Sequence, residues 1–538
     1  MAAATVSHLR VAALAFVALG VLLRLIGIDW GLPAIYDPDE PDFVNRALVM
    51  LDTGNLDPGW FGHPGSATMY SFLAAFAAYA VTFGGGVAAA VEAYAVDPSR
   101  FFLLARLVIA AFAAATLVLT WRFARRSLPV SATAESSALA GLVAVGLLAL
   151  APLHTQFSRN ARPDIEMVFF VTLSVFAAIG IATRGRWRDY LAAGFCLGLG
   201  IATKYPAAIF APLLLLAHLL GQHDRAAPAW HGLERLVGAG AAVVAGVAVG
   251  APFLLLSPEV ALGDIRFEAR SYHLSGTSAG FASSLLSYLF VVLPNEFGWP
   301  GMALVAMGAF TALTTRARGA QLALAALLLF VPVMASLELR WDRWMLPAVP
   351  FGCVLAGVGA AQLWRLIAPV SGGVRASLAA AVLTVLAVAG PAFNSLPWTV
   401  ANARGDSRDA AAAWIGANVE PLSRVLLEAY TPQLGPDRYR LYNVSGGRIW
   451  PLDANGRRLA VPSGVIGTLA NVDEIERYRM DYIVIANHYD RRLAEAARYP
   501  QDIALYQEIM QRHELVFEAD AAPWQAIGLP VRVYRVRR

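Results

Sequence analysis

Charge is what this 538-residue chain has little of: Asp, Glu, Lys and Arg together make 15% of it, against 58% hydrophobic residues and a mean hydropathy of +0.55. A water-soluble protein needs about a quarter of its residues charged to cover its surface, so much of this chain must face another solvent. Net charge of one sign is missing as well. The 42 basic and 38 acidic residues leave +4, too balanced for a nucleic-acid binder. Lysine is nearly absent, and the sole one is Lys204. The two cysteines, Cys196 and Cys353, lie inside apolar runs and read as small buried side chains, which excludes a disulfide framework and a Cys-based metal site. No His, Glu and Asp grouping has metal-ligand spacing either, so no obligatory protein-bound metal is expected.

Long apolar runs are present in place of charge. The first, 9–28, is followed by Asp29-Trp30-Gly31-Leu32-Pro33 instead of a small-residue cleavage pattern, and reads as an uncleaved first helix. Further runs cover about 101–120, 136–153, 165–183, 190–203, 206–220, 236–256, 297–315, 320–337, 345–364 and 376–394, which gives eleven expected crossings. The stretch 66–90 is also apolar, and the distribution of arginine decides its treatment. If it crossed fully, Arg122, Arg125 and Arg126 would share a side with the acidic loop at 29–63. Read instead as a helix on or dipping into the membrane surface, it puts those arginines, with Arg10, Arg184, Arg186, Arg188, Arg316 and Arg318, in the cytoplasm. The expected organisation is a polytopic α-helical membrane protein of a cell (inner or plasma) membrane with a cytoplasmic N-terminus. Its transmembrane domain is 1–396, with a first outer loop at 29–65 and the surface helix at 66–90, and 397–538 forms a small α/β soluble domain on the outer side. Within that domain 425–430, 481–486, 515–518 and 531–536 read as strands, and 406–418 and 502–512 as helices.

The first outer loop carries the densest chemistry. Asp37, Asp39, Glu40 and Asp42 fall within six residues, with no basic residue before Arg46. An acidic surface turn accounts for such a run. So does a carboxylate held at the membrane surface as a general base, its pKa raised by like-charged neighbours.

The order Arg24-Leu25, Trp30-Gly31-Leu32-Pro33, Asp39-Glu40, Gly54-Asn55-Leu56 and His63-Pro64 resembles the first outer loop of polyprenyl-phosphate-sugar-dependent membrane glycosyltransferases, the superfamily of protein O-mannosyltransferases and the aminoarabinose transferase of lipid A. Further matches are Ser158-Arg159-Asn160-Ala161-Arg162-Pro163-Asp164 entering a span, Lys204 after Thr203, and Arg343 before Met345-Leu346-Pro347. The resemblance covers nearly the whole membrane region and implies the C-type glycosyltransferase fold. It also implies transfer of a sugar, with inversion, from a polyprenyl-phosphate donor to a hydroxyl of a glycan, lipid or protein acceptor, with the lipid-linked donor as substrate and no obligatory cofactor.

Such a reaction needs a carboxylate to take the acceptor proton and fixed cations to meet the leaving phosphate. By match to the family pair Asp39 is the candidate base, with Glu40 supporting it. Asp164 is a second carboxylate, for sugar hydroxyls or for holding Arg162. Lys204, beside Tyr205, is the candidate phosphate contact; a snorkelling helix-end lysine is the alternative. His63 either binds phosphate or caps the following helix. Arg340 and Arg343 flank Trp341 and Asp342 as a phosphate site or a helix-end anchor, Arg159 and Arg162 enter a span together, and Arg266, Arg270 and His273 occupy a loop that either closes over substrate or is simply solvated. A lipid-linked sugar flippase or transporter, or a subunit that only binds the donor, shares these features, although no internal repeat of the transporter kind is present.

Overall fold

The computed structural model describes residues 2–62, 65–228, 230–268, 277–367, 373–452 and 464–537. They form two compact units, Met1–Ile28 with Asp39–Leu396, and Asp29–Pro38 with Pro397–Arg538. Each of the eleven apolar runs contains a helix. Among the described residues nine helices are long and apolar enough to cross a membrane, and Ala134–Leu150 and Trp187–Thr203 add two of 17 residues. At 1.5 Å per residue, 17 residues reach about 26 Å, the lower end of what a bilayer core requires. The chain is a multi-pass helical membrane protein.

Burial separates inner from outer helices. Ala134–Leu150, apolar all round, is buried along nearly its whole length and packs against Ala2–Leu25, Ser99–Arg126 and Ala348–Ile367. Leu233–Gly250 and Gly373–Arg404 instead leave Val237, Val244, Val249, Val382 and Val385 exposed, an apolar surface suited to lipid. Trp187–Thr203 meets Leu233–Gly250 through glycines four residues apart. A Cβ added at Gly194 or Gly198 would lie 2.2 Å from the carbonyl oxygen of Ala239 or Val243, so the helices approach as small-residue pairs do in lipid.

The stretch 66–90 is not one straight segment. Ser66–Thr82 and Val87–Val96 are bent by 107° about Gly84-Gly85-Gly86, where Gly85 and Gly86 adopt φ of 71° and 105°.

The second unit is built on a six-stranded mixed sheet in the order Arg448–Pro451, Arg440–Ser445, Arg424–Leu427, Tyr482–Ile485, Val531–Arg535, Glu514–Ala519. The three strands Arg440–Ser445, Arg424–Leu427 and Tyr482–Ile485 run parallel and the remaining pairings are antiparallel. Period-two alternation sends Val425, Leu427 and Val484 to one face, under Ala411 and Ile415 of the helix Ser407–Asn418. It sends Leu426, Ile483 and Ile485 to the other, under Leu505, Tyr506 and Ile509 of Pro500–Arg512. Asp406 starts the first of these helices as a capping box with Asp409. The short segment Asp29–Pro38 belongs to this unit because the Tyr36 hydroxyl donates to Asp409 at 2.7 Å and the Arg408 guanidinium lies 4.0 Å over the Tyr36 ring.

Glu428, directly after the strand Arg424–Leu427, is fully buried and accepts from the backbone N–H groups of Ala486 at 2.8 Å and Ile466 at 3.1 Å and from the Tyr506 hydroxyl. Burial pushes its carboxyl up to about 8, against those N–H groups. The folded unit therefore holds a proton that the unfolded chain has released above about 4.5, so unfolding releases it and stability falls as pH rises through that window. The expected slope is about 1.4 kcal/mol per pH unit at most. Thermal midpoints measured between about pH 5 and pH 8 check this. A flat profile matching that of Glu428→Gln would mean the buried group is already ionised.

Candidate functional site

The Asp-Glu pair begins the helix Glu40–Thr53, which starts there because Pro41 cannot donate and because Glu40 and Asp42 favour a helix N-terminus. Asp39 occupies the N-cap position, yet its side chain makes no capping bond. Its carboxylate is turned to two guanidinium groups, forming an ion pair with Arg162 and lying 3.6 Å from Arg343. The like-charged surroundings expected from the sequence are thus replaced by cationic ones.

Glu40 points elsewhere and is fully buried. Arg106 grips it through Nε at 2.8 Å and Nη2 at 2.7 Å, and the Ala161 N–H adds a third bond at 2.7 Å. Arg106 also donates to the Ile28 carbonyl at 2.9 Å. This bidentate pair ties the Asp39 turn to the helix Ser99–Arg126 and to the loop that carries Arg162. Removing one partner strands the other charge in the interior. Glu40→Gln is therefore expected to cost about 3–5 kcal/mol, read as a lower thermal midpoint and yield, with Glu40→Leu combined with Arg106→Met recovering much of the loss. An unchanged midpoint with abolished activity would instead place Glu40 in the chemistry. Arg106 escaped the sequence reading because it sits inside an apolar run; the signal was an arginine less than two turns inside the end of a span that follows an acidic loop.

Asp164 opens the helix Asp164–Thr183 after Pro163, where a carboxylate suits the helix dipole. The chain leaves the helix Trp187–Thr203 at Lys204 in extended conformation, and Pro206, two residues on, has no N–H with which to continue that helix. Lys204 Nζ donates to Asp164 Oδ1 at 2.6 Å, and Asp164 also feels Arg343 and Arg162. Five residues from four stretches of sequence thereby gather: Asp39, Arg162, Asp164, Lys204 and Arg343. Three cations against two carboxylates leave one unit of positive charge in excess.

The other expected residues lie around or away from this cluster. Tyr205 donates to the Phe61 carbonyl at 2.8 Å, and the Phe61 N–H donates to Asp264 at 2.8 Å, which ties the loop before residue 63 to the helix Pro258–Glu268. Arg266 is exposed on that helix. Arg159 is buried and donates to the Leu23 carbonyl at 2.6 Å, anchoring its loop to the first helix. Arg340 lies half-buried in a two-residue strand paired with Thr277–Ser278. His63, Arg270 and His273 fall outside the described residues. Among the described residues no group of three or more His, Cys, Asp or Glu side chains is arranged to hold a metal ion.

Residues 102–254, which include Arg106, Arg159, Arg162, Asp164 and Lys204, match the family described as dolichyl-phosphate-mannose-protein mannosyltransferase. The fold defines the class: a polytopic membrane protein of the C-type glycosyltransferase fold with a C-terminal α/β unit. It is similar to ArnT from Cupriavidus metallidurans, solved with undecaprenyl phosphate bound, at 16% identity over 97% of this chain and 97% of that one, with a TM-score of 0.51. It is also similar to the oligosaccharyltransferase of Archaeoglobus fulgidus tethered to an acceptor peptide, at 12% identity over 96% of this chain and 74% of that one, with a TM-score of 0.51. No curated protein matches the chain by sequence.

Proposed function

We propose that the chain is a glycosyltransferase that moves a sugar from a polyprenyl-phosphate donor to an acceptor hydroxyl at the outer face of a cell membrane, with inversion. The observation that carries this reading is the excess of one positive charge in the cluster of Asp39, Arg162, Asp164, Lys204 and Arg343. A polyprenyl-phosphate sugar is a phosphodiester with one negative charge, so donor and cluster neutralise each other. In the transfer step Asp39 takes the acceptor proton as the hydroxyl oxygen bonds to the anomeric carbon. The bond from that carbon to the phosphate oxygen breaks, and its electron pair leaves with the polyprenyl monophosphate. The phosphate gains a negative charge at the same moment that Asp39 loses one, so the site stays matched through the reaction. A single displacement of this kind inverts the anomeric configuration. Lys204, Arg162 and Arg343 are the cations assigned to the phosphate, and Asp164 holds Lys204 in place. No resident cofactor is needed for this sequence of steps.

The reading is supported by the bound undecaprenyl phosphate of the ArnT structure, which shares the fold. Its test is transfer of radiolabelled sugar from a polyprenyl phosphate by the purified protein in nanodiscs. Movement of the intact donor across the bilayer without transfer would favour a flippase, and donor binding alone a non-catalytic subunit. The same proposal sets the N-terminus in the cytoplasm and 397–538 outside. Reporter fusions after Ala90 and after Trp398 should report the cytoplasmic-side exclusion of both sites, and an inside signal after Ala90 would invert the loops that follow.

A further inference from the structure

Arginines at helix ends of the membrane unit commonly meet carboxylates: Arg184 pairs with Asp189, Arg235 with Glu234 and Arg318 with Asp224. One group does not. Arg122, Arg125 and Arg126 close the helix Ser99–Arg126 at positions i, i+3 and i+4, hence on one face, and Arg125 feels both Arg126 and Arg10 of the neighbouring helix Ala2–Leu25. Among the described residues no carboxylate pairs with any of the four. Glu135, the sole acidic residue between 98 and 163, lies in the first turn of Ala134–Leu150 and forms no ion pair with them. One arginine in a last turn suits the helix dipole, but three on one face repel one another and call for an anion.

The guanidinium groups are held in place by rings. Arg125 lies 5.4 Å over Trp121, and Arg126 lies 4.9 Å over Phe176 of the helix Asp164–Thr183. Rings engage the faces of a guanidinium and leave its edge N–H groups for an oxyanion. Gly141 makes the room, since a Cβ there would lie 2.5 Å from Trp121 Cδ1 and 2.8 Å from Arg125 Cγ. Trp121 Nε1 and Arg125 Nε are buried and have no acceptor among the described residues. Both groups can only donate, so an acceptor oxygen is what they lack.

Position decides which anion fits. From Arg106, which grips Glu40, to Arg125 the helix rises about 28 Å at 1.5 Å per residue, close to the thickness of a bilayer core. The patch therefore lies at the membrane face opposite the Asp39 cluster. Val11 beside Arg10, and Leu14 one turn further into the membrane on the same helix face as Arg10, are exposed, so the charged patch continues into an apolar surface for acyl chains.

We propose that Arg10, Arg122, Arg125 and Arg126, with the Trp121 indole N–H, bind the phosphate of an anionic glycerophospholipid at the face opposite the proposed donor site. Full-length protein in detergent is titrated with dioleoylphosphatidylglycerol and with dioleoylphosphatidylcholine, and bound lipid is counted by native mass spectrometry. The anionic lipid is expected to bind more tightly. Arg125→Gln should weaken it about fivefold and Arg10→Gln combined with Arg125→Gln about 30-fold, with binding of the choline lipid and the lipid-free melting temperature unchanged. Arg125→Lys, which keeps the charge, should lose less than Arg125→Gln. Arg188→Gln, at an exposed arginine that opens the helix Trp187–Thr203, and Lys204→Met should leave the preference intact. Equal binding of the two lipids would overturn the proposal. So would an equal loss in Arg188→Gln, which would mean diffuse surface charge, or in Lys204→Met, which would put the lipid in the donor site. Displacement of the lipid by an excess of inorganic phosphate would do so as well, by making the patch a site for a soluble anion.

Discussion

Asp39→Asn is expected to slow sugar transfer on the order of 10²- to 10⁴-fold, the usual loss when a positioned general base is removed. The substitution keeps the shape of the side chain and removes one negative charge from a cluster that already carries one positive charge in excess. Donor binding should therefore hold or tighten while turnover collapses, a combination that misfolding does not produce. Arg162 and Arg343 lose an anionic partner, but both remain within the field of Asp164. Single-turnover transfer combined with donor titration reads the two effects independently. Near-normal turnover would move the base to Asp164, since Glu40 has both oxygens engaged by Arg106 and the Ala161 N–H. Weakened donor binding with normal turnover would make Asp39 a donor ligand instead of a base.

How far the sequence could carry this picture depended on whether a feature was local. Spans were legible because apolar length is a local property, and even the two 17-residue helices could be found by their runs. The strands Arg440–Ser445 and Arg448–Pro451 were overlooked although their turn was in plain view. Ser445-Gly446-Gly447-Arg448 is a two-residue hairpin with φ of 57° and 72° at the glycines, but the flanking arginines, asparagine and serine hid the alternation. The break that Gly298 makes in the helix Leu293–Thr314 was not legible, because a single glycine in an apolar run gives no sign that Gly390 will pack against it. In the charged cluster the residue types were readable one by one, and their pairing was not. Asp39 reaches Arg162 and Arg343 across more than 100 positions, and Glu40 selects Arg106, a residue hidden inside a span, because helix packing and not sequence distance decides these neighbours.

Lys204→Met is expected to lower donor affinity roughly 10- to 150-fold, the equivalent of one charge-assisted hydrogen bond of about 1.5–3 kcal/mol. A lysine that merely snorkels extends its ammonium to the headgroups, where stem length and charge are all that matter. The Lys204 side chain is only 13% exposed and its ammonium rests on Asp164 at 2.6 Å, so it faces the cluster and not the water. Replacing it with methionine preserves an unbranched apolar stem, removes the excess positive charge and leaves Asp164 to Arg162 and Arg343. Expression and melting temperature should then stay close to wild type while donor binding and transfer weaken together. Lys204→Arg tests shape at constant charge. The ammonium is a compact point charge and the guanidinium a wider planar fork, so this variant should retain more affinity than Lys204→Met but less than wild type, whereas a snorkelling position would accept it without loss. Donor titration of both variants in nanodiscs decides between the two accounts. Unchanged affinity and turnover in Lys204→Met would reduce Lys204 to a helix anchor and leave Arg162 and Arg343, already flanking Asp39, to meet the departing phosphate.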